Sequence, residues 1–324
     1  MTGPLLQVER LTTHYVAGRG TRVTRAVEGV SFTLGAGETL GVVGESGSGK
    51  TTLALSLMRL LPPAARIVSG AIRFDGEDLL AKSATEMRRI RGKRIAMILQ
   101  DPMASLNPLF TVGDQVSETM RAHDGLGRRA AWKRAGELLA AVRIAAPQTR
   151  VGEYPHQLSG GMRQRIVGAI AISCEPRLII ADEPTTSLDV TIQAQYLSLL
   201  REMQRAHGLA LIFITHNLGI VAKMCDSVVV MYAGRLIEGG PVRRIFSAPQ
   251  HPYTKALLES IPRMGDGRER LTAIDGQPPD LIALPPGCAF APRCGEAMER
   301  CRAERPPAFR VAPDHTAACW LRER

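Results

Sequence analysis

Long apolar segments are missing from this sequence. No run approaches the roughly 20 consecutive apolar residues that span a bilayer, and residues 1–9 lack the basic region and apolar core of a secretory signal. These absences predict a cytoplasmic protein that contacts a membrane only through a partner. The composition of a disordered protein is also missing, since 45% of the 324 residues are hydrophobic and 22% are charged. The length permits two domains with full cores.

Acidic residues are fewer than basic ones, 31 against 41, which gives a formal net charge of +10. A positive field attracts any polyanion, so nucleic acid, nucleotides and anionic lipid are all candidate partners. Much of the excess lies in residues 82–94 and 121–150, and charge runs of this kind usually form a solvated helix face. Binding of DNA or RNA is therefore a minority hypothesis.

One stretch matches a phosphate-binding loop. Residues 44–52 fit G-x-x-x-x-G-K-[ST] and lie between a β-like run at 39–43 and a helix-like run at 53–58. In this pattern the glycines let backbone N–H groups turn inward, Lys50 reaches the β- and γ-phosphates, and the Thr51 hydroxyl binds Mg²⁺. The predicted nucleotide-binding residues of the loop are Gly44, Ser46, Gly47, Ser48, Gly49, Lys50, Thr51 and Thr52.

A second candidate phosphate site follows about a hundred residues later. Residues 157–165 read QLSGGMRQR and precede a helix-like run at 166–173. A loop of small residues at the start of a helix presents backbone N–H groups and the positive helix end to an anion. The predicted phosphate contacts here are Ser159, Gly160 and Gly161.

Carboxylates end a continuous apolar strand at residues 177–184. Such strands are typical of a parallel sheet that is buried on both faces. At its carboxyl end, Asp182 can hold Mg²⁺ and Glu183 can polarise the attacking water. A further buried strand at 209–215 delivers His216, which could donate to charge developing on a γ-phosphate.

Alternating strand-like and helix-like runs predict an α/β fold with a parallel sheet. From residue 108 to about 175 the pattern is helical, so a helical subdomain, placed at about 103–175, should interrupt the α/β domain. Tyr15 precedes the phosphate loop, and its ring could stack on adenine, although a packing role is about as common.

These motifs resemble, in order, those of ATP-binding-cassette ATPases. They are the Walker A loop at 44–51, a Q-loop glutamine, the signature at 158–162, the Walker B pair, the D-loop at 187–189 and the switch histidine. The chain is most similar to the D-type ATPase subunit of bacterial oligopeptide/dipeptide importers. Three stretches carry this narrower resemblance: 100–108, 182–191 and 249–258.

The resemblance implies roles for individual residues. Gln100 would sense Mg²⁺ and the water, Glu183 would be the general base, and His216 the γ-phosphate switch. Tyr15 would stack on adenine, and Asp189 of the D-loop would contact nucleotide. The implied magnesium residues are Thr51, Gln100 and Asp182. Asn217 stands where aspartate is common, which leaves open how His216 is held.

The resemblance also implies an assembly. Two cassettes would form a head-to-tail dimer in which the signature of one completes the Walker A site of the other. The second cassette would be a paralogous F-type subunit or a second copy of this chain. Two membrane permease subunits and an extracytoplasmic substrate-binding protein would complete an importer at the cytoplasmic face of the inner membrane, with no nucleic-acid partner. The implied domains are residues 1–245 and 246–324.

Four of the six cysteines cluster in the tail, with spacing C-x5-C-x6-C-x17-C, and we call them the tail cysteines: Cys288, Cys294, Cys301 and Cys319. Four thiolates suit either a [4Fe–4S] cluster or Zn²⁺. The spacing lacks the C-x2–4-C of zinc knuckles, and some peptide importers resemble this tail and carry a cluster there. A [4Fe–4S] cluster is therefore expected, with Zn²⁺ or free structural thiols as alternatives.

The sequence thus predicts a translocating ATPase that powers import of oligopeptides or dipeptides. One alternative keeps the architecture but imports nickel, a metal chelate, glutathione or an antimicrobial peptide. Another is a soluble cassette ATPase that acts on nucleic acid, but such proteins usually carry two cassettes or a long coiled coil, and neither is found. A metal-sensing regulator is the last, and the intact Glu183 and His216 speak against it.

Overall fold

The computed structural model describes residues 3–18, 21–186, 188–261 and 274–323. The strands are β1 (Leu6–Ala17), β2 (Arg22–Leu34), β3 (Thr39–Val43), β4 (Ala65–Phe74), β5 (Glu77–Asp78), β6 (Ile95–Ile98), β7 (Leu178–Asp182), β8 (Ala210–Ile214), β9 (Ser227–Tyr232), β10 (Arg235–Pro241), β11 (Phe309–Ala312) and β12 (His315–Ala317). The α-helices are α1 (Lys50–Met58), α2 (Ala84–Ile90), α3 (Pro102–Ser105), α4 (Val112–Asp124), α5 (Arg128–Ala141), α6 (Pro147–Arg150), α7 (Gly160–Ile172), α8 (Val190–His207), α9 (Leu218–Met224), α10 (Val242–Ser247), α11 (Pro252–Glu259) and α12 (Glu299–Ala303).

The chain forms two compact units. The first unit contains Met1–Leu34, Thr39–Asp78 and Thr215–Arg324, and the second contains Gly35–Glu38 and Leu79–Ile214. The two units are not consecutive stretches of the chain, because each of them takes segments from distant parts of the sequence.

The first unit contains strands in two arrangements. An antiparallel sheet has the order β2-β1-β4-β5, and five further strands lie in the order β11-β12-β10-β9-β3. Strand β3 pairs in parallel with β9, with Val42 opposite Val229, and all five of its residues are buried. Because β3 is fixed among apolar neighbours, the loop that follows it starts from a rigid point.

The helix that follows this loop starts earlier than its apolar pattern predicts. Helix α1 begins at Lys50, directly after Gly49, and not at residue 53. It ends when Arg59 adopts a left-handed conformation (φ 50°) and donates its N–H to carbonyls of the last turn. The prolines at 62 and 63 therefore lie beyond the helix end and do not cause it.

The second unit contains three parallel strands in the order β8-β7-β6. Every residue of β7 and β8 is buried, as expected for apolar strands covered on both faces. Residues 99–177, all of which the structure describes, contain helices and turns but no strand. The predicted α/β fold and helical subdomain are both found.

The C-terminal segment does not form a separate body around its cysteines. Strand β12 pairs with β10, which places Ala317 opposite Glu238. Tyr253 and Phe290 pack in the same apolar cluster as Val230 of β9. The predicted small cysteine-containing C-terminal domain is therefore not confirmed.

The prediction of a [4Fe–4S] cluster is wrong. Within the described ranges, no group of three or more His, Cys, Asp or Glu side chains is placed to hold a metal ion. The same finding removes support for the alternative of Zn²⁺. The four positions concerned are Cys288, Cys294, Cys301 and Cys319.

The tail cysteines instead pack as small apolar side chains. Cys288 and Cys294 pack against the cluster that contains Phe290, and Cys301 is buried with Trp320. Burial raises the pKa of the Cys288 and Cys294 thiols and raises the pKa of Cys319 to about 11. Protonated thiols are poor ligands, since metals bind the thiolate.

No membrane-crossing helix is found among the residues that the structure describes, because none there is both long and apolar enough.

His251 makes the stability of the first unit depend on pH. Burial, assisted by the positive charge of Arg322, lowers the pKa of His251 to about 3 from 6.5. Between about pH 3 and pH 6.5, His251 of the unfolded chain binds a proton that His251 of the folded chain does not. The stabilising effect is therefore complete above pH 6.5 and is lost as the pH falls, by up to about 1.4 kcal/mol per pH unit.

We expect urea unfolding to show this effect against a matched variant. His251→Asn keeps an acceptor for the Tyr253 N–H, which His251 Nδ1 receives at 3.0 Å, but does not titrate. Between pH 7.5 and pH 5.0 the wild type should lose about 2 kcal/mol more of its free energy of unfolding than the variant. Equal pH dependence of the two proteins would contradict the assignment.

Candidate functional site

The phosphate loop lies between β3 and α1 in the first unit. The buried Lys50 donates from Nζ to the backbone carbonyls of Gly44 at 2.8 Å and Glu45 at 2.9 Å, and to Ser48 Oγ at 3.4 Å. The loop oxygens thus hold the ammonium group in place. A fixed positive charge beside a helix N-terminus is an arrangement that binds phosphate.

Two glycines of the loop have no room for a side chain. Gly44 and Gly49 have φ values of 153° and 102°, in the region that glycine alone adopts easily. A Cβ at Gly44 would lie 2.2 Å from the Met231 carbonyl oxygen, and one at Gly49 would lie 2.1 Å from that of Ala26. The backbone therefore takes its path only because both positions lack a Cβ.

Tyr15 lies beside the first turn of α1. Its hydroxyl is 3.4 Å from Thr52 Oγ1, so the ring is near the phosphate loop, in the same unit. This position is compatible with the predicted contact to adenine, and the stacking itself stays a prediction.

Sequence reasoning missed the residues that hold Glu45, the second residue of the loop. Its carboxylate forms an ion pair with Arg293, and its backbone N–H donates to the phenol oxygen of Tyr253. These partners lie 248 and 208 residues further along the chain. No local motif indicates such a pairing, so the sequence alone offers no signal for it.

In the second unit, the structure brings together the predicted sensor and the predicted base. Gln100 Nε2 donates to Glu183 Oε2 at 3.2 Å, and Thr186 Oγ1 donates to the same oxygen at 2.9 Å. Asp182 is buried at the end of β7. These contacts fix the carboxylate that would polarise water, while the roles of the residues stay predictions.

Glu183 has an unusual backbone conformation. Its φ is 46°, in the left-handed region that costs a residue with a Cβ of the order of 1 kcal/mol or more. Its N–H donates to the Ile214 carbonyl of β8 at 2.9 Å, which holds this conformation. The chain therefore turns sharply at the residue directly after β7.

The signature residues lie at the exposed start of a helix. Ser159 is the N-cap of α7, and its Oγ accepts the N–H of Met162 at 3.3 Å. Ser159 and Gly160 are exposed, while Leu158 before them is buried and anchors the turn. The start of α7 is thus exposed, and phosphate contact by Ser159, Gly160 and Gly161 stays a prediction.

Two polar residues, one in the D-loop and one next to the predicted switch histidine, act as helix caps. Asp189 accepts the N–H groups of Thr191 and Ile192, at 3.1 and 3.0 Å, at the start of α8. Asn217 Oδ1 accepts the Gly219 N–H at 2.9 Å at the start of α9. The side-chain oxygen of Asn217 therefore caps its own helix, as an aspartate at this position would also do.

The other predicted residues are placed as follows. His216 is exposed and lies two residues after β8. Thr51 belongs to the first unit, whereas Gln100 and Asp182 belong to the second, so the shared magnesium site stays a prediction. Ser187 of the D-loop lies outside the described residues.

Comparisons with known proteins place this geometry in a family. The family described as ABC transporter matches residues 27–186, and the family described as oligopeptide/dipeptide transporter, C-terminal region, matches residues 237–301. A dipeptide transport ATP-binding protein of Bacillus subtilis, DppD, is 50% identical over 321 residues, which cover 99% of this chain and 95% of that protein. The chain belongs to the ABC transporter family.

Other relatives agree with this assignment. A probable peptide ABC transporter ATP-binding protein of Sinorhizobium fredii is 50% identical, over 98% of this chain and 94% of its own length. The oligopeptide transport ATP-binding protein OppD of Bacillus subtilis is 49% identical, over 98% of this chain and 88% of its own length. The predicted family and the predicted ATPase activity are confirmed.

Solved structures show the same fold. The ABC ATPase resembles cbiO1 of Clostridium perfringens with a TM-score of 0.64 and 30% identity, over 76% of this chain and 91% of that one. It also resembles the dimeric cassette MJ0796 bound to ADP and Pi, with a TM-score of 0.66 and 24% identity, over 74% of this chain and 99% of that one. At this level of identity the second likeness concerns the fold alone.

Proposed function

We propose that this ABC ATPase powers the import of oligopeptides or dipeptides through a separate membrane permease. The observation that carries the proposal is the match of residues 237–301 to the oligopeptide/dipeptide transporter C-terminal region. Relatives aligned over almost the whole chain are named as dipeptide and oligopeptide transport ATP-binding proteins. Their names bear out the function predicted from the sequence.

The proposed ATP site would use the residues of the predicted motifs. Lys50 would bind the β- and γ-phosphates, and Glu183 would polarise the water that attacks the γ-phosphate. Glu183 accepts hydrogen bonds from Gln100 and Thr186, which orient its carboxylate. His216 would donate to charge that develops on the γ-phosphate.

Magnesium fits the chemistry of the predicted residues. A threonine hydroxyl, a glutamine amide and an aspartate carboxylate are hard oxygen donors of the kind that Mg²⁺ prefers. When bound, the ion would neutralise charge on the phosphate oxygens. The residues that would hold it are Thr51, Gln100 and Asp182.

The exposed signature supports the proposed assembly. Ser159 and Gly160 open to solvent at the start of α7, so they could complete the phosphate site of a second cassette. That cassette would be a paralogue or another copy of this chain, joined to two permease subunits and a substrate-binding protein at the cytoplasmic face of the inner membrane. Residues 1–245 would serve as the cassette and residues 246–324 as the importer-specific segment.

Transport in vesicles tests the proposed cargo. The chain would be reconstituted with candidate permease and binding proteins from the same genome, and uptake of labelled dipeptides, longer peptides, nickel and glutathione would be compared. We expect peptides to accumulate with ATP but not with ADP, and the peptide-loaded binding protein to stimulate ATP hydrolysis. Stimulation by nickel or glutathione, with none by peptides, would contradict the proposal.

A further inference from the structure

Residues of the importer-specific segment, 246–324, hold the start of the phosphate loop. Arg293 forms two bonds with the Glu45 carboxylate, from Nη1 to Oε2 at 2.7 Å and from Nη2 to Oε1 at 3.0 Å. The Arg293 side chain is only 5% exposed. The Glu45 side chain is 25% exposed, so the pair is partly buried. Two parallel bonds fix both distance and orientation, unlike a single contact at the surface.

Arg293 is itself held in one position. Its Nε donates to the Asp275 carbonyl at 2.9 Å, and Nη2 also donates to that of Ile274 at 3.2 Å. Nη1 also donates to the Tyr232 hydroxyl at 3.2 Å. The guanidinium thus joins the loop to the segment at 274–275 and to the end of β9.

A second residue of the C-terminal segment reaches the same point of the loop. The hydroxyl of Tyr253, in the first turn of α11, accepts the backbone N–H of Glu45 at 2.9 Å. The rings of Tyr232, Tyr253 and Phe290 pack with centroids 4.6 to 5.4 Å apart. This aromatic group is rigid, so it fixes where the Tyr253 hydroxyl lies.

Glu45 also connects this anchor to the functional lysine. Its carbonyl accepts a bond from Lys50 Nζ at 2.9 Å. The N–H, the carbonyl and the carboxylate of one residue are therefore bound by Tyr253, Lys50 and Arg293 respectively. A displacement of Glu45 would move one of the oxygens that position the ammonium group.

We propose that Arg293 is a positioning residue for the nucleotide site: it fixes Glu45, and through Glu45 it sets the place of Lys50. Tyr253 acts with it on the backbone of the same residue. The inference rests on the proposed function of this loop as the ATP site. If Arg293 has this role, the importer-specific segment contributes to nucleotide binding. The residues of this segment are remote in sequence from the cassette motifs.

Binding of a fluorescent ATP analogue with Mg²⁺ to the complete purified chain tests the proposal. Loss of two charge-assisted bonds from this partly buried pair predicts that Arg293→Ala raises the Kd about tenfold. Arg293→Lys, which keeps the charge but loses the fork, should give an intermediate Kd. If Arg293→Ala does not fold, Arg293→Lys and Glu45→Gln carry the test, and each should raise the Kd by at least about threefold.

Arg300→Ala is the matched control. Arg300 belongs to the same segment and pairs with Glu304 and Glu323, but it is exposed and does not contact the loop. Its Kd should stay within about twofold of the wild type. Unfolding in urea without nucleotide would be measured for each variant, so that lost stability and lost affinity are separated.

A double-mutant cycle decides whether the pair acts as one unit. Arg293→Ala and Glu45→Gln together should raise the Kd no more than the larger single effect, because both remove the same link. Additive effects, or a fall in stability with an unchanged Kd, would overturn the proposal. The variant Lys50→Ala separates this proposal from the proposed function of the loop. If Lys50→Ala binds the analogue normally, the loop is not the ATP site. If Lys50→Ala loses binding but the Arg293 variants bind normally, only the proposed role of Arg293 is wrong.

Discussion

Replacement of Glu183 by Gln is expected to lower ATP hydrolysis by the assembled transporter by about 10²- to 10⁴-fold, the usual contribution of a general base. The amide cannot accept the proton of the attacking water. Its remaining oxygen can still accept the bonds that Gln100 and Thr186 donate, so the local structure should persist. ATP binding should therefore survive, and the variant should accumulate in the ATP-bound, dimerised state.

Phosphate release and binding of labelled ATP would be measured side by side. Glu202→Gln is the control, because Glu202 is an exposed carboxylate of α8 in the same unit. Its hydrolysis rate should stay within about twofold of the wild type. Normal turnover in Glu183→Gln would assign the base to another residue.

The largest effect on stability is expected at Glu238. Its carboxylate is fully buried and accepts the N–H groups of Gln250 and His251, at 2.6 and 2.9 Å, while His315 Nε2 lies 2.7 Å away. Glu238→Ala would leave two backbone donors and a histidine nitrogen buried without an acceptor. We expect the free energy of unfolding to fall by about 3–5 kcal/mol.

Glu202→Ala gives the contrast for this measurement. Glu202 pairs with Arg143 at 2.7 Å, but both side chains are 52% exposed. Loss of such a surface pair should change the free energy of unfolding by about 1 kcal/mol or less. Urea unfolding of both variants would test the difference, and similar losses in the two would show that burial does not decide the value of Glu238.

The effect at Glu238 should extend to the nucleotide site. Glu238 binds the two residues directly before α11, and α11 carries Tyr253, whose hydroxyl binds the phosphate loop. A strand residue, a helix start and the loop are thus connected through a few buried bonds. The fold and the site of the first unit are supported by the same contacts.

Local pattern was sufficient to predict much of this molecule. The loop at 44–52 could be recognised because a strand, a glycine-rich turn and a helix follow one another directly in the chain. The end of β7 could be recognised because four consecutive apolar residues precede two carboxylates. In each case the residues that define the feature are neighbours in sequence, so their spacing carries the information.

Contacts between distant segments were not predictable in this way. Arg293 and Glu45 are 248 residues apart, and nothing in their immediate surroundings indicates that they meet. The tail cysteines were wrongly predicted to hold a cluster, from four clustered thiols and a resemblance to other importers. Their burial among apolar side chains depends on tertiary packing, which local sequence does not show. The cap that Asn217 Oδ1 provides for α9 was likewise not predicted.

The left-handed backbone of Glu183 places two demands on one residue. Glycine or asparagine would adopt this conformation with less strain, so folding alone would favour their presence. The carboxylate that turnover needs is incompatible with either of them. Any selection of variants for thermal resistance alone should therefore draw this position away from glutamate, and heat-resistant survivors altered here would be inactive.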